Sequence, residues 1–98
     1  MNTILTNKIH AIALDIAKEN NVDLTKVSEP EIWIEWLRCY FSACVKLRDD
    51  MYKQGLLNTV AAIQEIIDIN KKFLRKPEEL EVVNSVLAEE LADLDSIG

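Results

Sequence analysis

The sequence predicts an all-α fold in which four helices form an up-down bundle. Apolar residues recur every three or four positions in four successive stretches, and no stretch alternates as a half-buried strand does. The chain contains two glycines and two prolines, and all except the terminal Gly98 fall where one helical pattern ends and another begins. A length of 98 residues suits a single domain, 1–98. We expect the helices at 3–20, 29–54, 58–75 and 78–95, with residues 96–98 frayed.

The first predicted helix is apolar on one face only. Its stripe has the spacing of a helix packed on a core and consists of Leu5, Ile9, Ile12 and Ile16. Asn20 and Asn21 end this helix. The following residues, 22–27, form a connector in which Leu24 and Val27 are expected to contact the core.

The second helix has sequence signals at both ends. Ser28 and Glu31 match a capping box, in which each side chain pairs with the backbone N–H of the other, and Pro30 suits a first helical turn. Gly55 can adopt the left-handed conformation that closes a helix, with Leu56 folding back as the apolar contact.

Asn58 is expected to cap the third helix, and Pro77 to stop it and open the fourth. The loops at 55–57 and 76–77 are short, which makes successive helices antiparallel neighbours.

Asn70 interrupts an apolar seam on the third helix. It could fix the register of an assembly, or it could lie at the edge of the core and bond to nearby backbone.

The second helix has more apolar surface than an edge helix needs. Its apolar residues cover more than about 200° of the circumference, whereas packing on one side of a bundle requires little over 100°. Five of the six aromatic residues of the chain also lie in it. Either this helix is central and wrapped by the other three, or one apolar line remains uncovered and binds a partner. We favour the second interpretation, with an interface formed by Ile34, Phe41, Val45 and Tyr52, together with Trp33 and Trp36.

The fourth helix carries the negative charge of the protein. Residues 77–98 contain seven acids and no base, so they carry −7, whereas residues 1–76 carry +1. Its acids either form a solvated face or recognise a basic partner. The candidate acidic face includes two valines among the acids and consists of Glu79, Val82, Val86, Glu89, Glu90 and Asp93.

No sequence motif indicates catalysis, so we expect neither an enzyme nor a cofactor. The chain lacks a glycine-rich phosphate loop, and His10 has no Cys or acid at ligand spacing, so no metal site is expected. Cys39 and Cys44 lie about 140° apart on a helix and are expected to stay buried and unbridged. The acidic balance argues against direct nucleic-acid binding, and no apolar run reaches the roughly 20 residues of a membrane span.

These observations favour a small cytoplasmic protein that binds other proteins. We expect an adaptor, a chaperone-like protein or a regulatory subunit that forms a homodimer or binds a partner through the second helix. The alternative is an acidic inhibitor or decoy, such as a phage anti-host protein, an antitoxin or a nucleic-acid mimic, that acts through the fourth helix.

Overall fold

Four helices and a short 3₁₀ turn make up the fold. The computed structural model describes the backbone of residues 3–97 and the side chains of residues 3–88. Within that part of the chain every regular element is helical, so the predicted all-α four-helix bundle is confirmed. The helices are α1 (Thr3–Glu19), α2 (Pro30–Lys53), α3 (Leu57–Lys72) and α4 (Pro77–Ile97), and the 3₁₀ turn is Leu24–Lys26.

α1 and α2 both close with a left-handed residue, which the sequence analysis predicted at Gly55 and did not predict at Asn21. Gly55 has φ +76°, and the Leu56 N–H donates to the Met51 carbonyl at 2.9 Å. Asn21 has φ +58°, and the Val22 N–H donates to the Ala17 carbonyl at 2.9 Å. Each bond satisfies a carbonyl that the helix itself leaves unpaired.

The predicted capping box at the start of α2 is wrong. It requires Ser28 as the N-cap and a helical Glu29, but Glu29 is the N-cap, is extended (φ −77°, ψ 133°) and makes no capping bond with its side chain. The residue before a proline is sterically driven out of the helical region, so Pro30 moves the helix start one residue along the chain.

The boundaries of α3 also differ from the prediction. The Val60 N–H already donates to the Leu56 carbonyl, so Asn58 lies inside the first turn and does not cap the helix. α3 ends at Lys72, three residues early, because the Lys76 carbonyl accepts the first bond of α4 and the preceding residues must form the turn. α4 extends to Ile97, and Gly98 lies outside the described residues.

α2 lies at the centre of the fold. It packs against α1, α3 and α4, whereas contacts among those three helices are few. Its buried side chains are distributed over roughly two thirds of its circumference and are Leu37, Cys39, Phe41, Ala43, Cys44, Val45 and Leu47. The large apolar surface of α2 therefore belongs mainly to the monomer core, the interpretation that the sequence analysis did not favour.

The two cysteines are core residues. Both are free thiols and both are buried, as expected. Burial raises the pKa of Cys44 to about 12 and also raises that of Cys39, since desolvation disfavours the thiolate.

Asn70 lies at the core edge, where its Nδ2 donates to the Ile66 carbonyl at 2.7 Å. This is the second of the two roles considered for Asn70.

No helix in the described part of the chain is both long enough and apolar enough to cross a membrane.

Candidate functional site

The interface residues predicted on α2 lie in three different environments. Phe41 and Val45 are 1% and 0% exposed, so the prediction that they stay uncovered is wrong; the outer helices cover them. Tyr52 is 61% exposed at the C-terminal end of α2. Ile34 and Trp36 are half-buried near its start, where Trp33 is 37% exposed. A concave surface lies near the start of α2, where Trp33, Ile34 and Trp36 border it, and it reaches the buried Phe41.

That surface is a groove between the start of α2 and the α3–α4 connection, which we call the aromatic groove. Trp33 and Glu79 separate its two parts. The larger part has a volume of about 670 Å³ and is lined by Pro30, Glu31, Trp33, Ile34, Lys76, Pro77, Glu78 and Glu79. The smaller part, about 290 Å³, has an aromatic lining that includes Trp33, Trp36, Tyr40, Phe41 and Phe73.

A hydrogen bond across the groove joins α2 to α4. The indole Nε1 of Trp33 donates to Oε2 of Glu79 at 2.7 Å, and Glu79 is only 9% exposed. A bond to a carboxylate is stronger than one between neutral groups, so this contact holds the Trp33 ring at a defined position. Both residues lie near the start of their helices. They can meet because α2 and α4 are neighbours that run parallel.

Burial of Glu79 contradicts its predicted place on an outward acidic face. Val86 is also buried and Val82 is half-buried, so the predicted apolar patch among acids is wrong at Val86. Among residues 77–88, the buried face of α4 is centred on Glu79, Val83 and Val86. This helix packs mainly on α2, where the Trp33 indole bonds to the Glu79 carboxylate and holds it inward.

The remaining residues of the predicted acidic face are Glu89, Glu90 and Asp93. They belong to α4, but their side chains lie outside the described residues. Recognition by these acids therefore stays a prediction.

A row of ring contacts connects the groove to the core. The rings of His10 and Trp36 meet edge to face at 5.5 Å between centroids, and Trp36 lies 6.2 Å from Tyr40. Tyr40 in turn meets Phe41 edge to face at 5.8 Å. Burial raises the pKa of the Tyr40 hydroxyl, because desolvation disfavours the phenolate. The Trp36 ring is thereby held between α1 and the core.

Phe73 is the site residue that the sequence analysis missed. It is the C-cap of α3, is 75% exposed, and borders the smaller part of the groove. The sequence carried a signal: Phe73 lies outside the apolar seam of α3, among the four cations Lys71, Lys72, Arg75 and Lys76. An exposed aromatic side chain indicates a contact surface where it belongs to a larger apolar patch, and that patch becomes visible only in the folded chain.

Charged side chains of both signs surround the groove. Glu31, Glu78 and Lys76 are exposed and line its larger part, beside the buried carboxylate of Glu79. The exposed cations Lys72 and Arg75 lie close to Phe73 in the sequence. Within residues 3–88, no three His, Cys, Asp or Glu side chains are grouped so that they could hold a metal ion. The groove thus offers aromatic surface, a fixed hydrogen bond and charges of both signs, which suit the binding of a polypeptide.

Comparison of the chain with models of known protein families, with curated proteins and with solved structures found no match in any of the three.

Proposed function

We propose that this protein is a non-enzymatic interaction module that binds another polypeptide in the aromatic groove. One observation carries the proposal: Trp33 and Phe73, both exposed, border one concave surface. Trp is among the residue types that contribute most to binding free energy when a partner covers them, and aromatic residues as a class are enriched at interfaces. The functional surface is thus smaller than the apolar line expected from the sequence and lies at one end of α2.

The groove is arranged to bind without large rearrangement. The Glu79 carboxylate fixes the Trp33 ring, and contacts with His10 and Tyr40 hold the Trp36 ring. Fixed side chains lose little conformational entropy when a partner arrives, so more of the contact energy appears as affinity.

An adaptor, chaperone-like or regulatory role in the cytoplasm is the form of this function that the chain supports best. Its two buried thiols remain unpaired, as is usual in a reducing compartment. Its charge of −6 disfavours direct contact with nucleic acid.

Affinity capture from cell extract tests the proposal with three versions of the chain: wild type, Phe73→Glu and Leu57→Glu. Leu57 is exposed at the start of α3, away from the groove, so its variant is a matched control for a new surface charge. We expect proteins that bind wild type and Leu57→Glu to be lost with Phe73→Glu. Capture that is equal for all three, or absent from wild type, contradicts the proposed function.

A further inference from the structure

We propose that the occupant of the aromatic groove is a second copy of this chain, in a two-fold dimer in which residues 72–76 of each copy lie in the groove of the other. This inference rests on the proposed function of the groove and names its partner.

The inserting segment is a projecting aromatic side chain flanked by cations. Phe73 points into solvent, whereas its neighbour Leu74 packs against the core. Lys72 and Arg75 are exposed on either side. The segment therefore presents one large apolar group within a patch of positive charge.

The receiving surface has the complementary character. Trp33 and Ile34 provide apolar area, and Glu31 and Glu78 stand exposed at the same part of the groove, where the two acids outnumber the one exposed cation, Lys76. Opposite charges around an apolar contact fix its register and disfavour unrelated partners. Insertion of Phe73 would cover the Trp33 ring and bring the cations of the segment toward these acids.

Both surfaces lie at the same end of one molecule. A two-fold interface requires a patch that complements itself, so that residue i of one copy contacts residue j of the other and the reverse. Phe73 itself borders the groove, so the inserting and receiving surfaces are adjacent. Two copies can consequently exchange both contacts in one closed interface, and no third copy is required.

Sedimentation analysis over a range of concentrations tests the dimer. Wild type is expected to dimerise, and Phe73→Ala to weaken dimerisation about 100-fold, because each dimer loses two anchors worth about tenfold each. Leu57→Glu should dimerise as wild type does. Circular dichroism establishes that each variant is folded.

Charge exchange identifies the contact. One chain carries Lys72→Glu with Arg75→Glu, and the other carries Glu31→Lys with Glu78→Lys. Each alone opposes like charges at both contacts and should remain monomeric, whereas an equimolar mixture should form a heterodimer in which both contacts are attractive.

A wild type that remains monomeric at about 1 mM overturns the self-association. So does a dimer that Phe73→Ala leaves intact, or a mixture of charge variants that does not associate. If wild type is monomeric while Phe73→Glu still loses its captured proteins, the groove binds a different protein. In that outcome the proposed function stands and this inference fails.

Discussion

A substitution of Phe41 tests whether this residue belongs to the core of the monomer or to an interface. Its ring is 1% exposed and belongs to the main apolar cluster. Burial of a phenylalanine side chain removes roughly 150–200 Å² from water, worth about 4–5 kcal/mol at ~25 cal/mol/Å². Phe41→Ala should therefore lower the free energy of unfolding by about 3–5 kcal/mol, a large part of the roughly 5–15 kcal/mol of a domain of this size.

Urea denaturation followed by helical circular dichroism measures this loss. With an m-value near 1.5 kcal/mol/M, the midpoint should fall by about 2 M or more, and Tm by an amount on the order of 20 °C. Tyr52→Ala is the matched control, because Tyr52 lies on the same predicted line but is exposed. Its effect should remain within about 0.5 kcal/mol. Both variants are compared with wild type at one protein concentration.

The reasoning is refuted if Phe41→Ala lowers the free energy of unfolding by less than about 1.5 kcal/mol. A loss that small is expected of a side chain that water or a partner can reach. It is also refuted if Phe41→Ala and Tyr52→Ala cost the same. Either result would mean that Phe41 is not enclosed by the monomer.

Further predictions concern the helix end, the thiols and the groove. Gly55→Ala should destabilise the protein by about 1 kcal/mol through its positive φ alone, since nothing lies within 4 Å of the added Cβ; an unchanged urea midpoint contradicts this. The Cys44 thiol should not react with a thiol reagent at pH 8 until urea unfolds the chain, and labelling of the native protein contradicts its burial. The folded pKa of Cys44, about 12, exceeds its ordinary value of 9.0, so the unfolded chain releases this proton first. Stability should consequently be independent of this thiol below pH 8 and fall between pH 9 and pH 12. Glu79→Ala should cost about 1–2 kcal/mol and redshift Trp33 fluorescence by freeing the indole; an unshifted spectrum would show that the bond does not position the ring.

Sequence reasoning predicted the helices well because their signals are local. The left-handed closure at Gly55 and the helix start at Pro77 depend on one or two residues each, and both are confirmed. The capping box failed through a competing local effect, since Pro30 forces Glu29 to be extended. Helix ends that depend on the next turn, such as that of α3 at Lys72, could not be inferred from the apolar period.

The groove could be predicted only in part because it depends on which helix faces which. Trp33 and Trp36 were recognised by their residue type and position. The inward position of Glu79 follows from the pairing of α4 with α2, a contact between residues 46 positions apart. A surplus of apolar surface has the same pattern in a central helix and in an interface helix. The sequence analysis therefore assigned Phe41 to the interface, although it belongs to the core.

The central position of α2 has a consequence for how the molecule unfolds. Since α1, α3 and α4 scarcely contact one another, no subset of helices that lacks α2 retains a core. Backbone amides of α2 should therefore exchange with solvent only on global unfolding, whereas an outer helix can detach from α2 as a separate unit and exchange sooner. A partner bound in the groove would slow exchange in α1 as well, because Trp36 connects the groove to His10 of that helix.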